Sequence, residues 1–255
     1  MNSKSHPVAP TARPFRGGIG SIGVVMSHGF TGSVQSILPW AQALAQPADG
    51  WDGARVVAPR LPGHGTSWRD LARTRWWDWY QAVDDAYEEL ADQCDVVFVA
   101  GLSMGGALAL RLASLRPVAG VLLVNPAIAS KSKVIPIASR LHRILPSQPG
   151  IASDIADPDA SEVGYPRFSV TSLATMTKLW KDTRSRLGKI QAPALLMRSV
   201  EDHVVDGATA AILQRKLRDL TVVDLPRSFH VATLDYDAPT IVAESRRFIQ
   251  DVVSR

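Results

Sequence analysis

The sequence predicts an α/β fold: a mostly parallel sheet covered by helices on both faces, with one inserted segment. Three observations predict it. Short apolar runs of strand length alternate with stretches of helical period along most of the chain. The clearest run, Val96–Ala100, is apolar throughout, as a strand buried on both faces is. The alternation breaks only between Pro126 and about Leu187, where Pro136, Pro146, Pro149, Pro158 and Pro166 accumulate and the core pattern is weak.

In chain order, residues 22–27 read as a strand, and residues 34–46 as a helix with Ile37, Leu38, Ala41, Leu44 and Ala45 on one face. A short strand follows at 55–58. Residues 75–93 form the clearest helix, with Trp76, Trp79, Tyr80, Val83, Tyr87 and Leu90 at helical spacing. After the strand at 96–100, a helix runs from Met104 to Leu115 and stops before Pro117. Residues 118–124, 194–198 and 221–225 read as strands, and 208–217 and 240–252 as helices. The expected organisation is one core from residues 1–126 and 187–255, with an inserted cap at 127–186. Within the aromatic group RWWDWY, at 75–80, Trp76, Trp79 and Tyr80 read as a buried helix face, and nothing in the sequence supports a substrate role for Trp77.

The 255 residues and 46% hydrophobic content suit one such domain. The first eighteen residues carry no apolar run of signal-peptide type, and the run 118–124 is too short to span a bilayer. The single cysteine, Cys94, excludes an intrachain disulfide and reads as a small buried residue at a helix end. A soluble, cytoplasmic protein is expected. The net charge of +4 is scattered among acids, which argues against nucleic acid as a partner.

Residues 18–23, GIGSIG, fit the dinucleotide pattern G-x-G-x-x-G. They precede their strand and open no helix, the reverse of what pyrophosphate binding needs, so they read as a turn.

The stretch GLSMGG, residues 101–106, is weak as a pattern and informative in context. A strand leads in and a helix leads out. A serine on such a sharp turn stands its hydroxyl clear of the sheet, and the helix N-terminus adds a positive dipole. Ser103 is therefore a candidate nucleophile. A hydroxyl attacks only when a base takes its proton. Of the six histidines, His230 follows the last strand, where a loop can carry it over the sheet edge. An acid must hold that imidazole in the right tautomer. Asp202, after the strand 194–198, is preferred over Glu201, Asp206 and Asp224, and Asp206 suits the cap of the helix at 208. For an oxyanion, Met104 N–H is one donor and Phe30 N–H, in the loop HGFTG after the first long strand, is the other.

At this point the chain resembles an α/β-hydrolase, and more narrowly the bacterial carboxylesterase and monoacylglycerol lipase family. The matching pieces are HGFTGS (28–33), RLPGHGTS (60–67), FVAGLSMGG (98–106), EDHVV (201–205) and FHVATLDYD (229–237). The resemblance implies the α/β-hydrolase fold with an inserted cap. It implies hydrolysis of a small-molecule ester such as a monoacylglycerol, with no metal or organic cofactor. It carries over Ser103, Asp202 and His230 as the triad, with Phe30 and Met104 as oxyanion donors. The stretch IASDIADPD, 151–159, is similar to the family's cap. By that match Ile151 lines the pocket and Glu162 meets the glycerol hydroxyls.

The first half of the cap departs from the family. Its apolar residues Ile128, Val134, Ile135, Ile137, Leu141, Ile144 and Leu145 are candidates for an acyl tunnel. They are interleaved with Lys131, Lys133, Arg140 and Arg143. Two readings follow: a basic surface making weak contact with anionic lipid, or, the favoured one, a cap whose charges face water. Rivals for the function are a general carboxylesterase, a thioesterase, acyltransferase or carbon–carbon hydrolase on the same triad, and a binding protein that kept the fold.

Overall fold

The computed structural model describes residues 6–131, 147–150 and 153–255. In chain order the strands are β1 (Phe15–Gly17), β2 (Ile22–Ser27), β3 (Arg55–Ala58), β4 (Val96–Leu102), β5 (Gly120–Val124), β6 (Ser147–Pro149), β7 (Arg167–Ser169), β8 (Ala194–Ser199) and β9 (Leu220–Leu225). The helices are α1 (Leu38–Ala45), α2 (Trp68–Leu71), α3 (Trp76–Ala91), α4 (Met104–Ala113), α5 (Val170–Arg186), α6 (Ala208–Lys216) and α7 (Ala238–Val253). A seven-stranded sheet has the order β1-β3-β2-β4-β5-β8-β9, parallel except for β1 at one edge. Every strand read from the sequence is in it.

The side-chain period of two divides the strands between two core layers. Val24, Met26, Phe98, Ala100, Leu122, Val124, Leu195 and Met197 meet α1 and α7 on one face. Val25, Val99, Val121, Leu123 and Leu196 meet α3, α4 and α5 on the other. Both faces are buried, so each central strand is apolar at consecutive positions.

The structure corrects several expectations. Residues 34–46 are not one helix: Val34–Ile37 is a 3₁₀ turn, and α1 begins after it with Pro39 in its first turn. The weak core pattern of the insertion hides α5, whose Leu173, Met176, Leu179 and Trp180 belong to the same buried layer as α3 and α4. Strand β1, the short helix α2 and the antiparallel hairpin β6–β7 are additions to the expected elements. Cys94 is half-buried rather than buried, with its sulfur against Gly23. The buried face of α3 is as expected, with Trp79 and Tyr80 buried and Trp76 packed against the same layer, and Trp77, not counted on it, is 52% exposed. Gly18 and Gly20, of the GIGSIG stretch, have φ of 77° and 109° and turn the chain from β1 into β2. A side chain at Gly18 would collide with Ala54 O. No helix among the described residues is long and apolar enough to cross a membrane.

Candidate active site

Parallel strands leave their C-terminal ends together on one edge of the sheet, where loops from different strands can converge. β4 is central in this sheet, and Ser103 follows it directly. Ser103 has φ 55° and ψ −118°, a conformation that a non-glycine residue holds only when its surroundings impose it. The surroundings are tight. A Cβ on Gly101 would lie 2.2 Å from Gly105 C, and one on Gly105 would lie 2.0 Å from Ser27 O. Both glycines are therefore needed for α4 to begin against the end of β2. Ser103 N–H donates to Val124 O (3.0 Å), and Ser103 O accepts from Gly106 N (2.9 Å) and Ala127 N (3.0 Å).

His230 and Asp202 reach this serine from two other loops. His230 Nε2 is 2.9 Å from Ser103 Oγ, and His230 Nδ1 is 2.8 Å from Asp202 Oδ2. The carboxylate only accepts, so Nδ1 carries the proton and the neutral imidazole presents Nε2 to the hydroxyl. Asp202 Oδ1 accepts from Val204 N (2.8 Å) and Val205 N (2.7 Å). Burial pushes the Asp202 carboxyl up. The hydrogen bond and charge of His230, with the N–H groups of Val205 and Val204, outweigh it and hold the carboxyl below its ordinary value. Of the rival acids, Asp224 pairs with Arg198 at 2.7 Å and Glu201 faces His203 at 3.1 Å. Asp206 Oδ1 accepts from Ala208 N (2.9 Å) at the start of α6.

The loop after β2 lies over Ser103. A Cβ on Gly29 would be 3.5 Å from the Ser103 Cβ. Among the described residues the Phe30 N–H donates no hydrogen bond, and Met104 is the first residue of α4, whose N–H has no acceptor within the helix. Two histidines support this loop from below. His28 Nδ1–H donates to Gly29 O (3.0 Å), and His28 Nε2 accepts from Leu61 N (3.3 Å). His64 meets His28 edge-on at 5.0 Å between ring centres and donates through Nδ1 to Pro62 O (3.1 Å). Burial holds His28 at about 4 and His64 well below its ordinary value, so both rings are neutral at neutral pH.

A cavity of about 170 Å³ opens on Ser103 and His230. One wall is apolar: Phe168 of the β6–β7 hairpin, and Leu173, Met176 and Trp180 of α5. Thr31, Asp154 and Glu162 also line the cavity. Glu162 is thus brought to the pocket. Burial raises its carboxyl above the ordinary value, against the opposing charge of His230 and a hydrogen bond from Ser36. Gln35 pins the segment that carries it, donating to Ser161 O (3.0 Å) and accepting from Val163 N (3.1 Å). Ile151, expected in the pocket, lies outside the described residues. So do the tunnel candidates Val134, Ile135, Ile137, Leu141, Ile144 and Leu145, and the cations Lys133, Arg140 and Arg143. Lys131 is described, and its N–H donates to Asp206 Oδ2 (2.5 Å).

Residues 153–165 also hold contacts that sequence reasoning missed. Tyr165 hydroxyl donates to Gly63 O (2.8 Å) and accepts from Thr66 N (2.8 Å), joining the insertion to the loop after β3. Asp235 Oδ2 accepts from Ala156 N (2.8 Å) and Phe229 N (2.9 Å). Asp154 and Asp235 both lie within stretches that carried the family resemblance, the one available signal.

A serine on a strained strand-to-helix turn, joined through histidine to a buried carboxylate at the C-terminal edge of a parallel sheet, defines an α/β-hydrolase arrangement. The chain belongs to the alpha/beta hydrolase family, whose model matches residues 24–245. It is 38% identical over 251 residues to a thermostable monoacylglycerol lipase of Bacillus sp. (strain H-257), a match covering 96% of this chain and 97% of that protein. It is 24% identical over 245 residues to a carboxylesterase of Bacillus subtilis (strain 168), covering 94% and 97%. Among solved structures, one described with the metagenome-derived lipolytic enzymes LipS and LipT superposes with a TM-score of 0.90 at 33% identity, covering 96% of this chain and all of that one. The Paleococcus ferrophilus monoacylglycerol lipase gives 0.71 at 22% identity over 94% and 98%, a likeness of fold.

Proposed function

We propose that this protein is a serine carboxylic ester hydrolase that cleaves monoacylglycerols through an acyl-enzyme. The observation that carries the reading is the hydrogen-bonded line Ser103–His230–Asp202 opening on a pocket lined by apolar side chains together with the carboxylates of Asp154 and Glu162. The monoacylglycerol lipase of Bacillus sp., 38% identical over nearly the whole chain, supports the substrate class.

In this reading Ser103 Oγ attacks the ester carbonyl while His230 Nε2 takes its proton. The oxyanion rests on Phe30 and Met104 N–H, each donor contributing about 3 kcal/mol to the transition state. Asp202 holds the imidazole and stabilises the imidazolium. His230 then protonates the leaving glycerol oxygen, and a water activated by the same imidazole releases the fatty acid. The wall of Phe168, Leu173, Met176 and Trp180 takes the acyl chain, at about 0.8 kcal/mol per buried methylene. Glu162 takes the glycerol hydroxyls, and Ile151 completes the lining. Residues 127–186 are the inserted cap on a core of 1–126 and 187–255, with α5 of that insertion packed into the core layer of α3 and α4. A cytoplasmic setting is part of this reading.

Hydrolysis of a monoacylglycerol, compared with the diacylglycerol, the triacylglycerol and the methyl ester of the same chain, tests this. The expected result is strong preference for the monoacylglycerol and loss of all four activities in Ser103→Ala with folding retained. Equal rates on monoacylglycerol and methyl ester favour a general carboxylesterase, the reading that the Bacillus subtilis relative supports. A Ser103→Ala variant with near-normal turnover overturns the assignment of the nucleophile.

A further inference from the structure

His230 is gripped at both of its peptide groups. Its C=O accepts from Asn125 Nδ2 (2.8 Å), at the end of β5 in the sheet. Its N–H donates to Asp154 Oδ2 (3.1 Å), and the next residue, Val231, donates its N–H to Asp154 O (3.0 Å). The same Asp154 carboxylate accepts from the backbone N–H of His203 (3.1 Å), and its other oxygen is 2.8 Å from His203 Nδ1. His203 is the neighbour of Asp202, and its ring stands edge-on to Phe229, the neighbour of His230, at 4.7 Å. One side chain of the insertion therefore holds the loop of the candidate acid and the loop of the candidate base at once.

We propose that Asp154 is a positioning residue for the triad, so that the catalytic line is complete only when the insertion is seated. The proposal rests on the serine-hydrolase reading above. The sheet fixes the Asn125 side of His230, but nothing in the core meets its N–H. Phe229 is held by Asp235 and Ser199, and Val231 by the Asp154 carbonyl, so what the Asp154 carboxylate alone supplies is the acceptor for the His230 N–H and the tie to His203. Without it the His230 peptide can tilt, and Nε2 sits at the far end of the ring, where a small rotation moves it most. A misplacement of about 1 Å can cost on the order of 100-fold in rate. The cap thus acts in two ways, shaping the pocket and, through Asp154, readying the base.

The proposal is tested by phosphonylation of Ser103 with a fluorophosphonate probe and by hydrolysis of 4-nitrophenyl butyrate, measured on wild type, Asp154→Ala, Asp154→Asn and Asp159→Ala. Asp159 is an exposed carboxylate of the same segment that touches neither loop. The expected order of kcat and of labelling rate is wild type, then Asp154→Asn, then Asp154→Ala. Asp154→Ala should fall by about 10- to 100-fold with KM within about twofold. The asparagine keeps one oxygen for the His230 N–H and should recover a large part of the loss. Asp159→Ala should match wild type. Equal labelling of Asp154→Ala and wild type overturns the proposal. So does an asparagine variant as slow as the alanine one, which would mean that the residue serves the fold alone. If Asp154→Ala does not fold, the asparagine variant is compared with His203→Ala, and wild-type labelling in both overturns it. A wild type that does not label at all overturns the serine-hydrolase reading itself, and this proposal with it.

Discussion

Gly32 and the carboxylate of Glu162 are in direct apposition: a Cβ built on Gly32 would lie 2.6 Å from Glu162 Oε1. Gly32 belongs to the loop that follows β2 and supplies the candidate oxyanion donor. Glu162 belongs to the insertion. The oxyanion loop and a carboxylate of the pocket lining therefore share a surface, and a methyl group at position 32 would fill the space the carboxylate occupies.

Gly32→Ala should fold, because the atom it meets is the end of a flexible side chain and not backbone. It should displace Glu162 and weaken glycerol recognition, raising KM for a monoacylglycerol by about 3- to 10-fold, the loss of one hydrogen bond. The methyl ester of the same chain should keep its KM. Steady-state kinetics on the two substrates decides it, and a parallel loss on both would place the effect in the oxyanion loop instead.

Glu162 itself titrates out of place. Burial raises its folded-state pKa above the unfolded value, so the folded protein binds a proton more readily than the unfolded one. Stability from this group is present below the unfolded value and is lost as pH rises through the folded one. At neutral pH the ionised carboxylate therefore costs stability. Glu162→Gln should raise Tm at pH 7 by a few degrees while lowering monoacylglycerol turnover, and the gain in Tm should shrink toward pH 4. Thermal unfolding of both proteins across that range measures it. A variant less stable than wild type at pH 7 would mean that the Ser36 and His230 contacts outweigh burial.

The sheet and the line Ser103–Asp202–His230 were legible for one physical reason. Central parallel strands are apolar on consecutive residues, and the loops at their C-terminal ends must carry whatever chemistry the fold has. The insertion was not legible, and α5 shows why. Its core-facing side includes Ser172, Thr175 and Thr183, all buried. Ser172 donates to Leu71 O, Thr175 accepts from Trp76 N and Thr183 donates to Ala107 O, each on a different element. Hydroxyls satisfied by distant partners dilute the apolar period of a helix that is nonetheless buried. The grip of Asp154 on His230 is hidden in the same way, since it joins residues 76 positions apart.

The histidine pair under the oxyanion loop sets a pH dependence of its own. His28 is fully buried, and both ring nitrogens are used: Nδ1–H donates to Gly29 O and Nε2 accepts from Leu61 N–H. A second proton would turn Nε2 into a donor facing a donor. Burial, opposed by the Gly29 hydrogen bond and aided by the charge of Arg60, holds His28 at about 4 against an ordinary 6.5. The folded state thus resists a proton that the unfolded chain accepts. Stability is whole above about 6.5 and is lost as pH falls toward 4, with a loss of about 3 kcal/mol from His28 over that span. His64, shifted in the same direction, adds to it. Urea unfolding between pH 7.5 and 4.5 should show wild-type stability falling steadily with acid. His28→Gln, which keeps an acceptor for Leu61 N–H but cannot be protonated, should start from a lower stability and fall less steeply. It should also lose activity at neutral pH, because the Gly29 carbonyl is no longer held and the Phe30 N–H moves with it. An unchanged slope in the variant would assign the acid sensitivity to His64 or to other groups and leave His28 a purely mechanical support.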